Sequence, residues 1–489
     1  MYNSIIDCVY KHAKSTPDKL CVIDESHETT YKVYWDMILR IHQVLLQYDV
    51  TYRDCIVVEA EQTVIYLALE LAIQLCGAIF VPLEKNCAVK RIDDIVIVTN
   101  AVMAITKHSS DYGCTNITYN QLSAHIQSAK NYIEPEYFPQ LLDTSEILFS
   151  TGTTGKPKGI ELTHENNIAL AENVKFGVQM KPDNVELIPV PLNHSHGLRR
   201  YYGNMYNGST VIILNGVLNI NYFFTCLKKY HVTAIDLVPA SLGIIFRFSK
   251  DKLAEYKNQL EYIQLGSAPL LESDKIKLCE LLPYTRLYNF YGSTESGCTC
   301  ILDFNKYRGL KNCIGKATYN SSFIFVNENH KPFNATEENP GFLACQGKMN
   351  MKGYWRDSNE TQKILHDGYI YSNDLAYCDE NGFIFMLGRK DDVINVGGNK
   401  VAPDEIESVT KKYPGVLECA CIGITDRIKG QVPKLFIVVE NQDDFDVQKL
   451  GAFLQAQFES YKVPKNIVLI EKIPRTFNGK IIRKDLHFM

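Results

Sequence analysis

The sequence predicts an α/β protein: a large N-terminal α/β part of several subdomains, followed by a small C-terminal α+β domain. Three observations carry this. At 489 residues the chain exceeds what one hydrophobic core serves, so two or more domains are expected. Helix and strand signals alternate through roughly the first 390 residues, which favours an α/β architecture. A charged turn, Gly388-Arg389-Lys390-Asp391-Asp392, follows the apolar run 383–387, and beyond it lies a segment with its own helix and strand signals. The expected domains are 1–389 and 390–489.

The elements follow in chain order. Residues 64–83 are the most apolar stretch, but Glu70, Gln74, Gly77 and Pro82 interrupt it. A bilayer span needs about 20 predominantly apolar residues, so the stretch reads as a buried helix, 64–76, entering a strand, 78–82, and membrane insertion is rejected. Residues 147–149 form a short strand, 211–214 another, 222–229 a helix and 234–238 a strand. Past the boundary, 393–396 is strand-like, 403–411 helical, 417–424 and 434–439 strands, 447–458 helical and 467–470 a strand. A polar, Gly-containing loop then precedes Lys480. Neither an internal repeat nor a low-complexity tract occurs.

Composition narrows the function classes. The chain is 46% hydrophobic and 22% charged, with a net charge of −5 and no Lys/Arg block, which argues against a nucleic-acid partner. Its 15 cysteines are odd in number and scattered, which fits reduced thiols in a cytoplasmic protein. Cys298/Cys300 and Cys419/Cys421 lie closer together than structural zinc ligands usually do, so packing is the expected role. The opening residues 1–14 lack the apolar core of a secretory signal.

The most informative stretch is Ser150-Thr151-Gly152-Thr153-Thr154-Gly155-Lys156-Pro157-Lys158-Gly159, which follows the apolar run 147–149. A strand emptying into such a loop can wrap phosphate oxygens with backbone N–H groups, hydroxyls and ammonium groups. It is not the common P-loop, because Pro157 follows Lys156 where that motif places a Mg²⁺-binding hydroxyl.

Five further motifs follow in order: Pro191-Leu192-Asn193-His194-Ser195-His196-Gly197, Gly266-Ser267-Ala268-Pro269-Leu270, and Tyr291-Gly292-Ser293-Thr294-Glu295. Then come Asp374 with Gly388-Arg389-Lys390-Asp391-Asp392, and finally Pro474-Arg475-Thr476-Phe477-Asn478-Gly479-Lys480. Together with the loop, these resemble the adenylate-forming superfamily of acyl- and aryl-CoA synthetases, luciferases and peptide-synthetase adenylation domains. The resemblance runs from about residue 20 to the C-terminus.

The resemblance implies a large adenylation domain and a small mobile C-terminal lid. It also implies ATP and Mg²⁺ as requirements, a small carboxylic acid as substrate, and coenzyme A or another phosphopantetheine thiol as acceptor. A carboxylate attacks the α-phosphate of ATP to give an acyl-adenylate and pyrophosphate, and a thiol then displaces AMP. Bringing two anions together makes the first step a matter of charge neutralisation and alignment. By the same resemblance, Ser150, Thr151, Gly152, Thr153, Thr154, Gly155, Lys156 and Lys158 bind the phosphates. Glu295 is the Mg²⁺ ligand, with Thr294 contacting phosphate. Gly266, Ser267, Ala268, Pro269, Asn289, Tyr291 and Gly292 surround the adenine and ribose, Asp374 and Arg389 attend the ribose or phosphate, and His194 lines the acyl pocket. Lys480 meets the α-phosphate and carboxylate during adenylation, and Asp391 is the hinge.

Departures bear on substrate and activity. Ser372-Asn373 replaces the family's usual Thr-Gly before the ribose Asp, putting a side chain where the backbone is normally close-packed. Phe342 stands where an acidic residue is usual after Pro340-Gly341. No carboxylate lies within Asn193-His194-Ser195-His196 to hold a substrate ammonium, so an acid without an α-amino group is expected. Arg199 and Arg200 are unusual beside this motif: a surface or nucleotide-phosphate contact is the favoured reading, and pairing with a second substrate carboxylate the sharper one. A metal pair of His194 and His196 lacks an evident third ligand. Two alternatives stay open: a stand-alone adenylation enzyme loading an acyl carrier protein, and a non-catalytic nucleotide-binding protein on the same fold.

Overall fold

The computed structural model describes residues 2–129, 132, 134, 135, 138–150, 158–390, 392–396, 399–475 and 481–489, with the side chains of Ser150 and Lys400 excepted. Its described strands form sheets of fourteen, seven and five strands. In the largest, a parallel run joins Leu20–Ile23, Thr210–Ile213, Val185–Ile188, Ala234–Leu237, Tyr262–Leu265 and Arg286–Ser293. From Gly297–Asp303 onward the pairing turns antiparallel, out to Ile384–Arg389, Tyr369–Cys378, Gly341–Gln346 and Ser322–Val326. This is the expected mixed α/β architecture, with most antiparallel strands on one flank and Glu28–Thr30 pairing antiparallel to Leu20–Ile23 at the opposite edge.

The seven-stranded sheet is built like a second doubly wound unit. Cys55–Glu59, Ile79–Leu83, Met103–Thr106 and Thr115–Thr118 run parallel, and Thr144–Ser150 joins parallel to Ile79–Leu83. Lys158–Thr163 then returns antiparallel to Thr144–Ser150, and Gly353–Tyr354 borders it. The loop singled out above therefore joins the two strands of a hairpin, with residues 151–157 themselves outside the described residues.

The apolar stretch folds as helix Val64–Leu75 followed by strand Ile79–Leu83. Thr63 caps the helix by accepting from the Tyr66 N–H, satisfying one of the orphan donors at its start. Nearly the whole circumference is buried, Glu70 and Gln74 included, which is why the segment reads as apolar all round. Among the described residues no helix is long and apolar enough to cross a membrane. The other expected elements occur with shifted ends, for example Ile220–Lys229, Pro403–Thr410, Val416–Asp426 and Val447–Gln457.

One local element is corrected. Gly388 and Arg389 are not part of a turn: they complete strand Ile384–Arg389, where Arg389 pairs with Asp374 and Gly388 with Leu375. Continued ladder pairing overrides the local charge. The five-stranded sheet begins at Ile394–Val396 and carries its own core of Ile394, Ile406, Leu435, Ile437, Leu450 and neighbours. All fifteen cysteines are free thiols.

Candidate active site

The hairpin, the Thr294-Glu295 turn and residues 351–355 form one cluster. Main-chain bonds join them: Met351 N–H to Glu295 O at 2.8 Å, Lys352 N–H to Glu161 O at 3.0 Å and Trp355 N–H to Gly159 O at 2.7 Å. Tyr354 sits at the centre. Its hydroxyl donates to Glu295 Oε1 at 3.1 Å, and Lys158 Nζ stands 5.4 Å from its ring centroid. Burial, and then the Glu295 carboxylate, push the Tyr354 phenol up, so it stays a donor. Lys158 also pairs with Glu360, whose carboxyl is held down to about 2 by hydrogen bonds from Lys158 and Lys363.

The expected nucleoside residues also converge. The Tyr291 hydroxyl donates to Asp374 Oδ2, and Arg389 Nε lies 3.4 Å from Asp374 Oδ1, so one carboxylate is held from two strands. Burial, and then Asp374, push the Tyr291 phenol well up. Gly292 has to be glycine: a Cβ there would meet Gly297 O at 1.8 Å. A Cβ on Gly266 would lie 2.9 Å from His196 Cε1, which lets the 266–269 loop close on the helix beginning at Ser195. The Ser372 hydroxyl donates to Leu343 O at 2.8 Å and accepts from the Asp374 N–H at 3.2 Å. Asn373 is exposed, so the side chain it adds crowds nothing.

His194 stands at the N-cap position of helix Ser195–Asn207, without a side-chain cap bond, and is half-buried. Two residues on, His196 Nε2 lies 3.0 Å from both oxygens of Asp236, on the strand Ala234–Leu237. Arg200 Nε reaches the same carboxylate at 3.2 Å, and its guanidinium stacks 4.2 Å above the Phe290 ring. The expected absence of a carboxylate beside the His194 motif thus holds only along the chain. The fold brings Asp236 there, already engaged by the His196 imidazole and the Arg200 guanidinium.

Neither arginine lies at the surface. Arg199 is 5% exposed and Arg200 fully buried, which corrects the surface reading. Arg199 spends Nη2 on Ser293 O at 2.8 Å and Thr294 O at 3.3 Å rather than on a free cleft. Beneath it the Tyr202 hydroxyl lies between Glu70 and Glu146, 2.5 Å from Glu146 Oε2. Burial pushes both carboxyls up, Glu70 further because of the Glu146 charge.

Lys480 and Asp391 lie outside the described residues, but their flanks are well anchored. On either side of residues 476–480, Arg475 and Ile481 form an antiparallel bridge, with Ile482 N–H bonded to Pro474 O at 2.9 Å. Arg483 then reaches Asp404 Oδ1 at 2.8 Å, Cys421 O at 2.9 Å and the Glu407 carboxylate. Its Nε lies 3.7 Å from Asp392, the neighbour of the expected hinge.

Two observations test whether ATP and Mg²⁺ suit these residues. Asn289 Oδ1 is a buried acceptor with no partner among the described residues, on the strand that carries Tyr291, and an adenine amine is a suitable donor to it. Glu295 is a single carboxylate, and no group of three or more His, Cys, Asp or Glu able to hold a metal occurs among the described residues. A cation here would rely on substrate phosphates, as Mg²⁺ does. Residue-by-residue reading missed Tyr354, Asp236 and Glu146. Tyr354 alone had a local signal, an aromatic after Gly353 in a short strand.

Comparison with known proteins gives the family and the fold. Residues 9–355 match the family model described as AMP-binding enzyme, and residues 405–480 the one described as AMP-binding enzyme C-terminal domain. The 4-coumarate--CoA ligase-like 6 of Arabidopsis thaliana is 27% identical, over 98% of this chain and 88% of its own length. The 2-succinylbenzoate--CoA ligase of Listeria monocytogenes is 27% identical over 97% of each. Among solved structures, ATP-bound MatB from Rhodopseudomonas palustris has a TM-score of 0.89 at 22% identity, covering 99% of this chain and 98% of that one. The o-succinylbenzoate CoA synthetase of Bacillus subtilis with its acyl-adenylate has a TM-score of 0.86 at 22% identity, covering 98% and 97%. The structural likenesses show a shared fold.

Proposed function

We propose, from the premise that this chain belongs to the AMP-binding enzyme family, that it activates a small carboxylic acid with ATP and passes the acyl group to coenzyme A. The observation that carries this is that Lys158, at the end of the hairpin, and Glu295 meet at Tyr354, while Asp374 is held between Tyr291 and Arg389. In the first step a substrate carboxylate oxygen bonds to the α-phosphorus of ATP and the bond to pyrophosphate breaks. In the second, the thiol sulfur bonds to the acyl carbon, AMP leaves and the thiol proton is lost.

Each residue has a part in this reading. Residues 150–158 enclose the β- and γ-phosphates, Thr294 contacts phosphate and Glu295 holds Mg²⁺, which neutralises charge on the triphosphate. Asn289 and residues 266–269 receive the adenine, while Asp374 accepts from the ribose hydroxyls and Arg389 steadies Asp374. His194 lines the acyl pocket. Residues 390–489 act as the lid that brings Lys480 to the α-phosphate, with Asp391 as its hinge.

An acid without an α-amino group is favoured, because Asp236 is already bound by His196 and Arg200 and cannot hold an ammonium. Aryl acids lead the panel, since relatives spanning the chain are named 4-coumarate- and 2-succinylbenzoate-CoA ligases. The test is ATP–pyrophosphate exchange across fatty, aryl, dicarboxylic and amino acids, followed by turnover with free coenzyme A or a holo carrier protein. Exchange with an aryl acid and turnover with coenzyme A are expected. Exchange with none of them would refute the reading, and turnover with the carrier protein alone would replace the acceptor.

A further inference from the structure

Helix Ser195–Asn207 starts at the acyl-pocket histidine and carries two consecutive arginines that serve different neighbours. Arg200 is committed to Asp236 and the Phe290 ring. Arg199 turns instead towards the segment between Arg286–Ser293 and Gly297–Asp303. Its Nη2 donates to Ser293 O at 2.8 Å and to Thr294 O at 3.3 Å, while Nη1 lies 3.9 Å from Cys298 Sγ. These contacts bracket Glu295. Among the described residues Arg199 makes no ion pair, and its Nε, buried, has no partner.

An unpaired guanidinium 5% exposed is costly unless its hydrogen bonds and nearby charge compensate. Charge-assisted bonds to two carbonyls supply part of that compensation. The Glu146 carboxyl supplies a further attraction from below, and Glu146 stands on Thr144–Ser150, the strand that leads into the hairpin loop. One side chain therefore ties the acyl-pocket helix to the turn bearing Thr294 and Glu295, over the strand that feeds the phosphate loop.

We infer that Arg199 is a positioning residue: it holds the 293–298 turn so that Glu295 presents its carboxylate to the Mg²⁺ of bound ATP. The inference rests on the proposed function for its ligand, but the anchoring itself is a property of the free protein. Arg199 touches no reacting atom in this assignment. Residues that orient a metal ligand typically change metal affinity by about 10–100-fold when replaced.

Two measurements on full-length Arg199→Met and Arg199→Lys test it. Hydrogen exchange without ligand should show amides 293–298 exchanging about tenfold faster in Arg199→Met, with Ala234–Leu237 unchanged. Calorimetric titration with ATP, in Mg²⁺ and in EDTA, should show the Mg²⁺-dependent gain in affinity falling about tenfold or more, while affinity in EDTA stays within about twofold. Arg199→Lys, which keeps the charge but not the fork, should fall between. Unchanged exchange at 293–298, or a Mg²⁺-dependent gain equal to wild type, overturns the inference. If Arg199→Met fails to fold, Arg199→Met/Glu146→Gln removes both charges together and carries the same two readouts. Wild-type protein that binds no ATP refutes the proposed function instead, and the exchange data still decide the anchoring.

Discussion

The Tyr354 hydroxyl lies 3.1 Å from Glu295 Oε1, so the expected Mg²⁺ carboxylate is oriented by a phenol from 59 residues further along the chain. The same ring faces Lys158. One aromatic side chain thus contacts both Lys158, at the end of the expected phosphate loop, and the expected metal ligand Glu295.

Removing that hydroxyl tests the arrangement. Tyr354→Phe keeps the ring under Lys158 but frees Glu295 Oε1, and one hydrogen bond to a carboxylate contributes about 1.5–3 kcal/mol. The expected result is a rise of about tenfold or more in the Mg-ATP concentration needed for half-maximal pyrophosphate exchange, with little change in the half-saturating acid concentration. Equal rises for both substrates would point to general damage.

Lys480→Ala should abolish acid-dependent pyrophosphate exchange while sparing thioester formation from supplied acyl-adenylate. Loss of a preorganised charge at a reacting oxygen costs on the order of 10²–10³ in rate. Because the flanking Arg475 and Ile481 are themselves bridged, the substitution should leave the C-terminal core intact. Equal loss in both half-reactions would exclude a role confined to the first.

Asp391→Pro should slow thioester formation at least about tenfold and leave exchange nearly unaltered, since fixing φ at a hinge blocks a rotation. The neighbouring Asp392 and Val393 N–H groups both bond to Arg389 O, at 2.9 and 2.7 Å, so flexion here starts from a strand end that is itself held. An unchanged overall rate with both half-reactions intact would assign the hinge elsewhere.

Glu186 gives a stability prediction. It is fully buried and accepts from Asn204 Nδ2 at 2.6 Å and the Tyr262 hydroxyl at 3.1 Å. Burial, and then the Asp236 charge, push it from 4.5 to about 7. The folded state therefore holds a proton the unfolded chain releases, and this contribution is full below pH 4.5 and lost as pH rises to about 7. Glu186→Gln cannot lose it. Relative to wild type, the variant should gain up to about 3 kcal/mol between pH 4.5 and pH 7 and nothing beyond, as measured by urea unfolding. A wild-type-minus-variant difference that does not change with pH would mean Glu186 is ionised when folded.

The motifs were legible because their chemistry demands contiguous residues. A loop that wraps phosphates needs consecutive small and hydroxylated residues, and a turn such as 291–297 needs glycine where two backbones meet at Gly292 and Gly297. Helix Val64–Leu75 was legible from its apolar run and its place before a strand. What local reading misjudged was charge. Gly388-Arg389 looked like a turn because it is polar, yet the ladder opposite Asp374 extends the strand through it. Arg199 and Arg200 looked solvated, yet Ser293 O, Thr294 O and Asp236 make burial tolerable.

From its linear order alone the chain specified the hairpin strands around residues 151–157, the Thr294-Glu295 turn and the mixed α/β architecture, because each depends on neighbours within a few residues. Folding alone decided that Tyr354 orients Glu295, that Asp236 occupies the space beside His196, and that Glu146 lies beneath Arg199. Those partners are 40 to 59 residues apart or more. An isolated charge or phenol in a sequence carries no sign of its partner, since burial and hydrogen bonding arise only when distant strands and helices meet.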